Sequence, residues 1–224
     1  MDCSTIDLKK FASIFTHGKG IEYIELNSLL SSGNLKLPST TAIFNMTPAK
    51  YCPALALGLC KAFNSKGKHI CYALKAERGY CPKVLPYRIR QMKFWKKVTA
   101  EEFVAQFLLI NSLKAVPYTT LRLNEAGDFH SQKCVDKAER IAQLLGRFGI
   151  KVYCYTHRSD LDYSGTKNLI VSGSNFMKEG VSNIFRIVEN IKRDKPKGWS
   201  ICPMDCTVCN KCMIRGQKIV VKEH

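Results

Sequence analysis

No stretch of this sequence approaches the roughly 18 consecutive apolar residues that cross a bilayer as a helix. Met1 to Lys10 (M-D-C-S-T-I-D-L-K-K) shows no basic-then-apolar export signal. Neither membrane insertion nor secretion is expected. Acidic residues are scarce: 18 Asp and Glu stand against 35 Lys and Arg, a formal charge of +17. That imbalance favours contact with nucleic acid or another polyanion, the alternative being a solvated cationic surface without a specific partner. The eleven cysteines are an odd number in a chain without export signals, which argues against a disulfide framework and for reduced thiols that serve metals. Hydrophobic content of 46% and charged content of 24% are ordinary for a globular protein. The length suits one sizeable domain, with or without a short appendage.

The cysteines concentrate near the end. Ile201 to Gly216 reads I-C-P-M-D-C-T-V-C-N-K-C-M-I-R-G, with Cys202, Cys206, Cys209 and Cys212 spaced Cys-x3-Cys-x2-Cys-x2-Cys. Gaps of two and three residues let neighbouring thiolates turn toward one centre. The run is tighter than a structural zinc site, in which ligand pairs stand apart in sequence. It is closer to the way ferredoxins hold a cubic iron–sulfur cluster, with a Pro beside one cysteine. A [4Fe-4S] cluster is the expectation, and zinc the alternative.

A second group, Cys52, Cys60, Cys71 and Cys81, falls at intervals of eight, eleven and ten. Such gaps fix no local geometry; position is what singles the group out. Thr40–Met46 (T-T-A-I-F-N-M) reads as a buried strand and runs into T-P-A-K-Y-C-P, so these thiols lie just past a strand's C-terminal end, where α/β folds place their chemistry. Cys52, Cys60 and Cys71 are candidate ligands and Cys81 a fourth. The alternative is that some are small buried hydrophobes.

The rest of the chain alternates helix and strand. Pro82–Lys97 reads as a helix with Arg88, Arg90, Lys93, Lys96 and Lys97 among Phe94 and Trp95, a candidate nucleic-acid face, the alternative being that the two rings are core. Thr99 to Glu102 matches a capping box, and the helix after it carries Phe103, Val104, Phe107, Leu108 and Ile110 as a core stripe. Residues 118–123 and 150–155 read as strands flanking a helix over 131–147, which implies a right-handed parallel crossover. Further strands are expected at 168–172 and 183–188. The fold class is therefore α/β with a parallel sheet, a partial (β/α) barrel being one form of it. Residues 1–37 read as an N-terminal extension, 38–198 as the core domain, and 199–224 as a metal-binding segment packed on it. Turns after the strands would line one rim: Asn124 to Ser131, Thr156 to Asp160, and Ser172 to Asn175. Glu125, Asp128, His130 and His157 are the candidate catalytic residues there, with helix capping and surface exposure as the plain alternatives.

I-F-N-M-T-P-A-K-Y-C-P, C-Y-A-L-K-A-E-R, L-R-L-N-E-A-G-D-F, V-Y-C-Y-T-H-R-S and the terminal cysteine run together resemble a domain family of mycobacteriophages that bears only a gene-product number and no reaction. The resemblance spans roughly residues 40–215 and implies a phage or mobile-element source, hence the cytoplasm of an infected host cell. Cys52, Cys60, Cys71 and the terminal four match its cysteine positions; Cys81 does not. Three cysteines after the first strand of a parallel fold, with more near the C-terminus, are also similar to the radical S-adenosylmethionine layout. There an open iron binds S-adenosylmethionine and the later cysteines hold an auxiliary cluster. The 52/60/71 spacing departs from that signature. Two functions follow as expectations. One is an iron–sulfur protein with one or two clusters and redox or radical chemistry on a small substrate. The other is a metal-stabilised basic protein that binds nucleic acid, to which Arg186, Lys192, Arg193, Lys195 and Lys197 would add phosphate contacts.

Overall fold

Short β-branched and aromatic runs, each closed by Asn, Gly or Pro, become the strands; longer runs with apolar residues three and four apart become the helices. The computed structural model describes residues 24–60, 71–80 and 82–222. Cys3 and Cys81 lie outside the described residues. In chain order the elements are β1 (Ser31–Ser32), β2 (Thr41–Phe44), α1 (Pro53–Ala56), α2 (Tyr72–Lys75), α3 (Val84–Lys97), α4 (Ala100–Ser112), β3 (Thr120–Leu123), α5 (Gln132–Gly146), β4 (Lys151–Thr156), β5 (Ile170–Ser174), β6 (Asn183–Val188), α6 (Ile191–Asp194), β7 (Ser200–Ile201) and β8 (Lys218–Lys222). The capping box at the start of α4 is present in full: Thr99 Oγ1 accepts from the Glu102 amide at 3.1 Å, and Glu102 Oε2 accepts from the Thr99 amide at 2.8 Å.

Among the described residues the strands form one sheet in the order β1-β2-β3-β4-β5-β6-β8-β7. Every neighbouring pair is parallel except β1 with β2. From β2 to β6 the order follows the sequence, as in the wall of a barrel. The α/β expectation is correct, and the wall is left open, with β1 and β7 at its two ends.

Side chains alternate across the sheet, and the two faces differ. Phe44 meets Phe94, Trp95 and Phe103 of α3 and α4 at centroid distances of 6.1, 6.0 and 5.2 Å. Leu121, Leu123, Val152, Cys154 and Val171 share this core with Val135, Ala138 and Ile141 of α5. The connections from β4 to β5 and from β5 to β6 contain no helix; Leu161, Tyr163, Leu169 and Val181 cover the same face instead. The opposite face carries Thr41, Arg122, Tyr153, Tyr155 and Phe185.

The end of the chain explains what covers that second face. Right-handed crossovers tie the direction of travel along a sheet to the face that the connection takes. From β2 to β6 the chain moves one way, and its helices and loops lie on one face. From β7 it moves back to β8, between β7 and β6. The connection over residues 202–217, which contains all four terminal cysteines, therefore crosses the opposite face. The Cys206 amide bonds Lys36 O at 2.7 Å, and Asn183 Nδ2 bonds Cys212 O at 3.3 Å.

Two expectations need correction. Residues 24–37 are not an appendage: Leu26 and Leu29 are fully buried in the main core, and Tyr87 and Gln91 of α3 donate to Leu29 O at 2.9 and 2.7 Å. Ser172 to Ser174 belong to β5 rather than to a rim turn; the backbone turns one residue later, at Asn175, with φ of 65°.

Candidate functional site

Parallel β2, β3 and β4 end on one rim, so the segments after Phe44, Leu123 and Thr156 meet there. Asn side chains stitch them together: Asn124 Oδ1 accepts from the Met46 amide at 3.1 Å, and Asn45 Oδ1 from the Ala126 amide at 2.7 Å. Gly127 has φ of +70°, and a Cβ at this position would stand 2.1 Å from Thr47 O. Glycine is required by conformation and by space. Gly127→Ala should lose about 1–2 kcal/mol from the left-handed backbone alone, plus whatever the collision displaces. A denaturation midpoint equal to wild type would refute this.

Asp128 is the knot of the rim. Its Oδ1 accepts from the Phe129 amide at 2.8 Å and Thr156 Oγ1 at 2.6 Å, and its Oδ2 from the His157 amide at 2.7 Å. Burial raises its pKa to about 6, against those hydrogen bonds and the Arg158 charge. Burial also pulls the His157 imidazole down to about 4, against about 6.5 in an unfolded chain. Because the folded value lies below the unfolded one, the stability that His157 contributes is complete above pH 6.5 and is lost as pH falls through 4. Asp128, with its folded value above the unfolded one, has the opposite slope between about pH 4 and 6, so the wild-type curve should be shallow. His157→Gln should therefore gain roughly 3 kcal/mol on wild type between pH 7 and pH 4, at 1.36 kcal/mol per pKa unit. Urea midpoints across that range read it; a constant difference would mean that the ring titrates as in water.

The four candidate catalytic residues do not form one pocket. Asp128 and His157 meet through the peptide amide. His130 is held by its carbonyl, which with Phe129 O accepts from Arg158, itself in a two-pronged pair with Asp160 at 2.8 Å. The buried His130 Nε2 has no hydrogen-bond partner among the described residues. Glu125 turns to Asn34 Nδ2 at 2.7 Å, 3.8 Å from Arg88.

Cys52 and Cys71 each begin a short helix, α1 and α2. Burial pushes the Cys52 thiol up to about 12; Asp128 and Cys60 raise it further, while amides of Leu55 and Ala54 donate to it. Cys71 and Leu55 pack against the small buried cluster of Ala49, Ala73, Leu74 and Ala126. Glu77 braces this region: it accepts from the amides of Ala49 and Lys50 at 2.7 and 2.8 Å and pairs with Arg88 at 2.9 Å. It thus ties the approach to Cys52 to the helix that Cys71 begins. No short-range pattern marks this strut.

The terminal cysteines gather in a narrow cleft against Tyr153 and Tyr155 on the open face, each half-buried. Burial pushes Cys212 up to about 11, against a hydrogen bond from the Tyr155 hydroxyl; Cys202, Cys206 and Cys209 push it further up. Cys52, by contrast, feels Asp128 and Cys60, so the two thiol groups have separate surroundings. Among the described residues no group of three or more His, Cys, Asp or Glu is arranged to hold a metal ion.

The family model described as gene product 88 matches residues 18–193, well over half of the chain. The chain belongs to this phage gene-product family. No curated protein and no solved structure matches it. The match takes in the rim of this gene product 88 chain, with Cys52, Cys60 and Cys71, and stops short of Cys202.

Sequence reasoning missed Arg122, although the signal was present. In T-L-R-L and K-V-Y-C-Y the leucines, valine and Cys154 face the helices, so Arg122, Tyr153 and Tyr155 must face the other way. An Arg inside a parallel strand departs from the usual pattern, in which both faces are apolar. Its Cζ lies 5.3 Å from the Tyr155 ring centroid, and its buried Nε has no partner among the described residues.

On α3, Arg90, Lys93, Lys96 and Lys97 are exposed. Arg88 is not: it is buried on Glu77 and on Ala73 O at 3.1 Å, because a guanidinium without water needs a carboxylate and a carbonyl. Phe94 and Trp95 are core, not stacking platforms. No helix among the described residues is long and apolar enough to cross a membrane.

Proposed function

We propose that this phage protein binds iron–sulfur clusters. Cys202, Cys206, Cys209 and Cys212 would hold one [4Fe-4S] cluster on the open face, and Cys52, Cys60 and Cys71 a second centre at the rim. The observation that carries this reading is the convergence of four half-buried thiols in one cleft lined by Tyr153 and Tyr155. Thiols pushed up to about 11 or 12 by burial keep their protons at neutral pH unless a metal takes the proton's place. A single tetrahedral zinc, with Zn–S of about 2.3 Å, draws its four sulfurs to within about 4 Å of one another. A cubane binds each thiolate to its own iron, so its ligands stand farther apart. When bound, such a cluster supplies one-electron chemistry.

The protein's own residues would do the rest. The crossing of residues 202–217 covers the face, Tyr153 and Tyr155 wall the cleft behind the thiols, and the Glu77 strut keeps the two rim segments in register. Three rim cysteines leave one iron without a protein ligand, the position at which S-adenosylmethionine or a small substrate would bind. In infected cells the protein would act in the host cytoplasm.

Iron, zinc and acid-labile sulfide per chain on anaerobically purified protein, with a visible spectrum, test this. About four or eight irons with equal sulfide support it. Stoichiometric zinc without sulfide would sink it. The second reading, a zinc-stabilised nucleic-acid-binding protein, is favoured by the four exposed cations of α3 and the basic excess. It requires binding whose log Kd rises with log salt, with a slope of about 0.9 per phosphate contacted.

A further inference from the structure

Arg122 bears a charge that the described residues leave without a hydrogen-bonding partner at Nε. Arg122 is half-buried, and enclosing a guanidinium nitrogen without a partner is costly, a cost that arginine does not escape by losing its proton. Glu125, the carboxylate whose field reaches it, is already bonded to Asn34 at 2.7 Å and 3.8 Å from Arg88. What surrounds Arg122 instead is aromatic: it lies over the Tyr155 ring, with Tyr153 and Tyr72 close by. Tyr155 lines the cleft in which Cys202, Cys206, Cys209 and Cys212 gather. A cation over a ring withdraws electron density from it and makes the phenol a stronger donor.

Resting on the reading that the four terminal cysteines hold a metal centre, we infer that Arg122 is the built-in countercharge of that centre, set behind the Tyr155 ring that lines the cleft. Four thiolates around a cubic cluster leave a net negative object in a site from which water is largely excluded. A fixed positive charge on the same face stabilises it, and most of all after reduction, when one more negative charge is present. The guanidinium thus raises the centre's reduction potential, as a positioning and tuning residue that need not touch the metal.

The test is a redox titration of anaerobically purified full-length protein, followed optically and by electron paramagnetic resonance, with iron and sulfide measured on each sample. The wave lost in Cys209→Ala identifies the terminal centre. In Arg122→Met that wave should move to lower potential, so that the reduced fraction at a fixed potential falls about tenfold, which is 59 mV for one electron. Tyr155→Phe should move it the same way by less. Arg122→Lys, which keeps the charge, should stay nearer wild type than Arg122→Met. Should Arg122→Met fail to fold, Tyr155→Phe and Arg122→Lys still decide. Full iron with an unmoved wave in Arg122→Met or Tyr155→Phe overturns the inference and leaves the cluster reading intact. Wild-type protein without iron overturns the reading on which the inference stands.

Discussion

Cys209→Ala should halve the iron content. If the terminal cluster and the rim centre are separate, wild-type protein carries about eight irons and the variant about four, with the broad visible band reduced in proportion. Cys52→Ala should remove the other half, because its thiol faces Asp128 and Cys60 and not the terminal group. The double variant should be colourless. Cys134→Ala is the control: its sulfur lies 3.5 Å from the Trp95 indole nitrogen, on the helix-covered side, and the iron content should not change. Undiminished iron in Cys209→Ala would remove the terminal segment from the ligand set. Loss of all iron in either single variant would mean one shared centre.

The second large effect is on stability. Glu77→Ala should cost about 3–5 kcal/mol, the usual penalty for leaving a buried charge unpaired. In a chain of this size each kcal/mol lowers Tm by about 2–4 °C, so calorimetry should register a drop of roughly 6–20 °C. Three donors lose their acceptor at once: the Ala49 and Lys50 amides and the Arg88 guanidinium. Adding Arg88→Met should recover part of the loss, since removing both charges avoids the unpaired one. A fall of less than about 1 kcal/mol in Glu77→Ala would show that Arg88 finds Glu125 instead, from its starting distance of 3.8 Å. The same variant should lose rim iron before terminal iron, because the strut joins the two segments that bring Cys52 and Cys71 to the rim.

Most of the fold was legible in the chain because its signals are local. The capping box at Thr99, the stripe from Phe103 to Ile110 and the strand–helix–strand unit over 118–155 each depend on residues a few positions apart. β7 and β8 were missed. Ser200–Ile201 is only two residues long, and Lys218–Lys222 lies beyond a cysteine run that reads as a metal-binding loop. The site was legible in kind but not in place. Spacing pointed to the terminal thiols, yet nothing local says that the chain doubles back after β7 and so crosses the open face. Asp128 and His157 were found among four rim candidates, but their meeting through a peptide amide needed coordinates. The basic helix α3 misled at Arg88, because sequence does not reveal which side of a mixed helix faces inward. Glu77 and Arg122 act with partners tens of residues away, beyond the reach of any short pattern.

The reversed strand order also bears on how the molecule assembles. β8 comes last in the chain but sits between β6 and β7, so the sheet cannot be completed by adding strands in the order of synthesis. Until β8 inserts, β6 has an open edge, and the short β7 has no neighbour to hold it. Insertion requires the cysteine-bearing segment to have swung across the sheet first, a late step whose contacts span the length of the molecule and which is therefore slow. Metal capture by the four thiols would shorten the loop to be closed, so that maturation of the centre and completion of the sheet become one kinetic event.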